Sequence, residues 1–198
     1  MPLRRRCPSA WDAATPDEEL VGWAQRGHRE AFALLYDRYL GPVYGYCYRR
    51  LGDRDAAQDA AAETFRKALA ALPGYQARAF RGWLFAIAHN VIADHWRSRR
   101  PDVPLEAAAE VRDGAPSPEE LALAAEARDS VAALLPRLSP DQRDAVALRL
   151  AGLSPNEIGA VLGKSRAAVD TTLHRALVRL RDLLAVGPAA NTGGGRRG

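Results

Sequence analysis

Apolar residues recur along most of the chain at intervals of three and four, the spacing that lines one face of an α-helix. Over residues 18–40 the stripe is Leu20, Val21, Ala24, Phe32, Leu35, Tyr36 and Tyr39, interrupted near Gly27. A second helix is predicted over about 42–51, ended by Gly52-Asp53, and a third over 56–71, stopping at Leu72-Pro73-Gly74. A fourth covers about 81–99, with Trp83, Leu84, Ile87, Ala88 and Val91 on its apolar side. Residues 139–184 read as helix, helix, tight turn, helix. The first carries Val146, Leu148 and Leu150 and ends at Gly152; the second carries Ile158, Val161 and Leu162. Gly163 supplies the turn, and Ser165 is the candidate cap of the last helix. Its buried stripe is predicted to be Val169, Leu173, Ala176, Leu177, Leu180 and Leu184.

Polar residues punctuate these stripes in one repeated way. Thr15-Pro16-Asp17-Glu18, Ser117-Pro118-Glu119-Glu120, Ser139-Pro140-Asp141-Gln142 and Ser154-Pro155-Asn156-Glu157 share a hydroxyl, a proline and an acid or amide three residues on. The hydroxyl caps free backbone N–H groups, proline fits the first helical position, and the third residue closes a capping box. Composition agrees. Ala occurs 39 times, against 19 for Val, Ile and Thr together, so helices are favoured over sheet. The fold class is all-α, in two small helical domains.

Between them the pattern stops. Residues 101–117 contain Pro101, Pro104, Gly114 and Pro116, and residues 101–120 hold six acids and one base. A flexible acidic linker is expected there. Disordered tails are expected over 1–17 and 187–198. The chain also lacks the run of about 20 apolar residues that a membrane span requires. The N-terminus lacks the apolar core of a secretory signal. Cys7 and Cys47 are too few for a disulfide framework, which points to a reducing cytoplasm.

The net charge of +4 conceals two concentrated basic segments. Residues 164–181 carry Lys164, Arg166, Arg175, Arg179 and Arg181 against Asp170. A short helix, a glycine turn and a long basic helix have the proportions of a helix-turn-helix. Its exposed face would hold Thr171, His174, Arg175 and Val178, with Lys164, Ser165 and Arg166 at the N-terminal end. Such a face suits the major groove, where phosphates attract it and side chains read base edges. The alternative is an ordinary helical pair with a solvated basic face.

The second basic segment is 76–100, with five Arg (Arg78, Arg81, Arg97, Arg99, Arg100) against Asp94. Asn90, Asp94 and Arg97 share one helix face. Tyr75, Arg78 and Phe80 lie in the preceding loop, where aromatic and guanidinium planes can stack on an unpaired base. Packing over the helix ends is the competing role for Tyr75 and Phe80. The helix before the loop carries Asp53, Asp55, Asp59 and Glu63 and suits either a protein partner or plain solvent. His28, His89, His95 and His174 show no metal-ligand spacing, and no phosphate loop or nucleophile elbow is present, so catalysis is not expected.

Two blocks of motifs resemble the extracytoplasmic-function group of bacterial sigma factors. The first comprises Asp17-Glu-Glu-Leu-Val21, Gly27-His-Arg-Glu-Ala-Phe32, Leu35-Tyr36, Ala57-Gln-Asp59, Glu63-Thr-Phe65 and Trp83-Leu-Phe-Ala-Ile-Ala-His-Asn90 with Asp94 and Arg97. The second runs from Leu135-Pro136 through Glu157-Ile158, Leu162-Gly163-Lys-Ser165, Val169 and Leu173-His-Arg-Ala-Leu177. Each motif is degenerate; their order along the chain is specific.

The resemblance implies sigma region 2 over 18–100 and region 4 over 118–186, acting in transcription initiation without a cofactor. It implies core RNA polymerase as partner, through its beta-prime clamp and beta flap, together with promoter DNA and an anti-sigma protein. Asp53, Asp55, Asp59, Glu63 and Lys67 would bind the polymerase. Tyr75, Arg78, Phe80, Arg81, Asn90, Asp94, Arg97, Arg99 and Arg100 would melt and read the −10 element. Lys164, Ser165, Arg166, Asp170, Thr171, His174 and Arg175 would read the −35 element. The acidic linker would run towards the RNA exit path.

Three positions depart from the family pattern. Gln58-Asp59 has one carboxylate where a pair is usual. Gly159 replaces the usual Ala, which would loosen its short helix. Asp170 replaces a usual Lys or Arg. An acid cannot hold phosphate but can accept a hydrogen bond from cytosine N4, so an altered −35 preference is expected. Two other readings stay open: a helix-turn-helix regulator acting without polymerase, and a helical module whose basic faces bind protein or RNA.

Overall fold

The computed structural model describes Trp11 and residues 14–76, 79–98 and 134–185. Among them every regular element is helical: α1 (Asp17–Gln25), α2 (Arg29–Leu51), α3 (Arg54–Ala71), α4 (Phe80–Ser98), α5 (Pro140–Leu150), α6 (Pro155–Leu162) and α7 (Arg166–Ala185). Short 3-10 turns at Leu72–Gly74 and Leu135–Arg137 follow α3 and precede α5. The expected linker, the helix start at Ser117 and the C-terminal tail lie outside the described residues, as does most of the N-terminal tail.

The local signals act as their chemistry requires. Ser139 and Ser154 both form complete capping boxes, with Gln142 and Glu157 returning the bond. Ser165 Oγ accepts from the Ala168 N–H at 3.3 Å and opens α7. Gly163 ends α6 at φ +64, a left-handed backbone that glycine adopts without strain. At Thr15 the expected box does not form. No side chain caps α1; instead Arg38 and Tyr39 of α2 bond to the Asp17 carboxylate.

One boundary differs from the sequence pattern. Residues 29–51 form a single helix of about 35 Å that passes through Pro42, where the pattern breaks it. Pro42 cannot donate to the Arg38 carbonyl, a loss that ordinarily ends a helix. Here Ala31, Leu35, Tyr39, Val43, Tyr46 and Cys47 form an uninterrupted buried stripe on both sides of it. Packing along that stripe overrides the local penalty.

The helices form two sets that touch. α1 to α4 pack as one bundle, and α5 to α7 as a smaller one. α4 packs on α6 and α2 on α5, so Ala145, Ala147, Leu148, Leu153, Ile158 and Val169 join the same apolar core as Leu35 and Phe85. A second cluster holds Leu135, Leu138, Val146, Ala176 and Leu180. The predicted stripe of α7 is corrected at two places: Leu177 and Leu184 are exposed. α7 has described neighbours on one side only, and Ala176 and Leu180 occupy that side. Leu150 at the end of α5 is exposed as well. Among the described residues no helix is long and apolar enough to cross a membrane.

Candidate nucleic-acid interface

The turn between α6 and α7 is tight for a specific reason. The Lys164 N–H donates to the Gly159 carbonyl at 2.9 Å, and Gly159 is buried. A Cβ at Gly159 would stand 2.6 Å from the Lys164 carbonyl oxygen. The glycine therefore admits a close backbone approach, which corrects the expectation that it loosens the helix.

This turn presents the N-terminal half of α7. Ser165, Arg166, Asp170, Thr171, His174 and Arg175 are all exposed on it. Thr171 Oγ1 donates to the Ala167 carbonyl at 2.9 Å, which orients its methyl and hydroxyl on the helix surface. Lys164 is held by Asp141 of α5, so part of its charge is neutralised. Asp170 faces Arg166 at 3.6 Å, an exposed i, i+4 pair. Its carboxylate thus lies next to the Arg166 guanidinium.

The face on α4 is organised differently. Asn90 and Arg97 are exposed, and Asp94 bonds both to Arg97 and, at 3.2 Å, to Lys67 of α3. Lys67 also lies 3.9 Å from Glu63, which takes two hydrogen bonds of 2.6 Å from Arg66. Those bonds, together with the charges of Arg66 and Lys67, hold the Glu63 carboxyl below its ordinary range. The expected polymerase and −10 residues therefore meet along the α3–α4 seam. Asp55 and Asp59 are exposed on α3, with Leu69 further along the same helix. Asp53 has a local duty, accepting from the Ala56 N–H at 2.7 Å as the cap of α3.

The loop residues divide. Phe80 is only 2% exposed, with ring centroids 5.6 Å from Tyr39 and from Trp83. It is a core residue beneath the loop, which corrects its expected role as a stacking face. Tyr75 is half-buried and leans on Trp83 at 4.7 Å. Burial, then Glu18 and Asp17, raise its hydroxyl pKa. Arg78, Arg99 and Arg100 lie outside the described residues.

Sequence reasoning missed the contact between the two sets. Arg81 does not face solvent alone: its Nε lies 3.3 Å from Glu157 and its Nη1 donates to the Gly152 carbonyl at 3.1 Å. Burial raises the Glu157 pKa, but bonds from Ser154 and Arg81 outweigh it and leave the carboxyl below its ordinary range. Arg50 of α2 meets Asp144 of α5 at 2.7 Å, with both side chains largely buried. Beside them Tyr46 Oη and His89 Nδ1 lie 3.1 Å apart. Burial pushes His89 down, with Asp144 opposing and Arg50 reinforcing the shift, and pushes Asp144 up against the charges of Arg50, His89 and Arg143. These pairs span the chain, so no local signal announces them. Cys47 is buried and its thiol pKa is pushed up to about 12, which makes it inert.

Comparison with known proteins follows the same division. The family model for Sigma-70 region 2 matches residues 35–101, and that for Sigma-70 region 4 matches 128–180. The ECF RNA polymerase sigma factor BldN of Streptomyces coelicolor is 38% identical over 184 residues, 90% of this chain and 70% of BldN. SigE of Mycolicibacterium smegmatis is 36% identical over 156 residues, 76% of this chain and 60% of SigE. Among solved structures, CnrH in complex with the cytosolic domain of CnrY is 30% identical. That match has a TM-score of 0.66 and covers 89% of this chain and all of CnrH. The chain belongs to the ECF family of RNA polymerase sigma factors, with region 2 in the first helical set and region 4 in the second.

Proposed function

We propose that this chain binds core RNA polymerase and directs it to promoters whose −35 element is read by α7 and whose −10 element is met by α4 and the loop before it. Catalysis belongs to the polymerase, no cofactor takes part, and the chain works in the cytoplasm. Residues 18–100 act as region 2 and 118–186 as region 4. Thr171, His174 and Arg175 reach base edges, while Arg166 and Lys164 hold phosphate. Asn90, Asp94 and Arg97 face the −10 strand. Asp55, Asp59 and Glu63 meet the polymerase clamp. An anti-sigma protein is a further partner; CnrH, similar to this chain, is itself solved with a protein partner, the cytosolic domain of CnrY.

One observation carries this reading: two separate exposed polar faces, on α4 and on α7, in a chain that matches both sigma regions. Their distance adds a requirement. Elements centred at −10 and −35 stand about 25 base pairs apart, roughly 85 Å of duplex at 3.4 Å per base pair. Helical sets in direct contact through α4 and α6 cannot bridge that span. Arg81 is meanwhile held by Glu157 and Gly152. The closed arrangement is therefore a resting form, and promoter reading separates the two sets.

Reconstitution with core polymerase and a promoter library tests the function. Initiation at a subset of promoters sharing both elements is expected. Tight duplex binding that needs no polymerase would replace this reading with a regulator, and weak sequence-blind binding would replace it with an interaction module.

A further inference from the structure

Helix α1 has no assigned part in promoter reading, and the region 2 match begins after it, at residue 35. Its last residue nevertheless reaches the loop between α3 and α4. The side-chain amide of Gln25 donates to the Leu72 carbonyl at 3.0 Å and to the Tyr75 carbonyl at 2.7 Å. One NH₂ group thus satisfies two carbonyls that bracket Pro73-Gly74. The Leu72 carbonyl also accepts from the Tyr75 N–H at 3.0 Å, which closes the turn.

α1 is a firm base for this bridge. Leu20, Val21 and Trp23 are buried, and Asp17 is bound to Arg38 and Tyr39 of α2. The described residues of the loop have few other ties. Leu72 is buried, but Pro73, Gly74 and Gln76 are exposed, and the Tyr75 ring rests on Trp83. A cleft of about 230 Å³ runs between α1, at Glu18, Val21 and Gly22, and the loop, at Tyr75 and Gln76. Gln25 also lines that cleft.

We propose that Gln25 is a positioning residue for −10 recognition, holding the backbone from Leu72 to Tyr75 so that Tyr75 meets the displaced strand in one conformation. This rests on the reading that the loop faces the −10 element. Gln25 touches no DNA itself. Without it the two carbonyls turn to water, and the loop must be ordered at the moment the strand binds. A net hydrogen bond corresponds to about fivefold in an equilibrium, and two independent ones to about 25-fold; because one of these is exposed and the other only partly buried, their loss should slow −10 opening about tenfold.

The test uses the full chain with core polymerase. Gln25→Ala removes both donors. Gln25→Glu keeps the shape but sets a carboxylate against two carbonyls. Gln25→Lys restores a donor group of similar reach. Gln25 is exposed, so all three variants should fold, and thermal unfolding checks this. The expected result is about tenfold slower open-complex formation for the Ala and Glu variants, with recovery of most of it by Lys. Affinity for core polymerase and for −35 duplex should stay within twofold. Wild-type opening rates in the Ala and Glu variants would overturn the inference, as would a parallel loss of core affinity. If the unaltered chain fails to initiate at any promoter, the parent reading fails instead, which separates the two.

Discussion

Replacing Asp144 by Ala should open the resting form. The substitution leaves the Arg50 guanidinium facing the α2–α5 contact without its counter-charge. Breaking a fully buried pair costs about 3–5 kcal/mol. Here the two side chains are 13% and 15% exposed, and the approach at 2.7 Å is not aligned as a hydrogen bond. Separation of the helical sets also lets Arg50 recover water. About 2 kcal/mol is therefore the expected bias, roughly a 30-fold shift towards the open form. Spin labels at Gln58→Cys on α3 and Arg179→Cys on α7, with Cys7→Ser, report the distance between the sets. The Asp144→Ala chain should show a longer, broader distribution, and the swap Arg50→Asp with Asp144→Arg should return much of the short one. An unchanged distribution in Asp144→Ala would refute the claim that this pair holds the sets together.

Three further outcomes follow. Gly159→Ala should destabilise the region 4 set by about 1–3 kcal/mol, because its methyl meets the Lys164 carbonyl; a melting temperature at or above wild type would contradict this. Asp170→Arg should raise affinity for −35 duplex, steepen its salt dependence by about one phosphate contact and change the preferred base, read by binding across single-base variants. Glu157 titrates below its ordinary range in the folded chain, so its stabilising effect is present above the usual carboxylate pKa of about 4.3 and fades as pH falls through its lowered value. Thermal unfolding from pH 6 to pH 3 should show that loss, and Glu157→Gln should flatten it.

What the sequence made legible was local. Ser139, Ser154, Gly163 and Ser165 act within three or four residues of themselves, so their chemistry can be read directly from spacing. The same holds for the shared face of Asn90, Asp94 and Arg97. Failures came where packing outweighed spacing. Pro42 reads as a break, yet a continuous stripe from Ala31 to Cys47 carries α2 through it. Leu177 fits the apolar period of α7 but lies just beyond the side its neighbours cover. Phe80 combines an aromatic ring with a loop boundary, and only the positions of Tyr39 and Trp83 show that it is core. Gly159 illustrates a subtler limit. Its need for a bare Cα arises from a backbone oxygen five residues on, an approach that no helical period encodes. Gln25, Arg81 and Glu157 act across about 47 to 76 residues, beyond any motif.

The most direct test of the functional reading fixes the resting form covalently. A Cβ placed at Gly82 of α4 would stand 3.7 Å from the Cβ of Glu157 on α6, within the usual separation for a disulfide. The chain carrying Gly82→Cys and Glu157→Cys, with Cys7→Ser, can be assayed with core polymerase on one promoter in oxidised and reduced form. The reduced chain should initiate and the oxidised chain should not, with activity returning when the bridge is cut. Equal initiation by the oxidised chain would show that the two promoter elements are read without separation of the helical sets, contrary to the function proposed here.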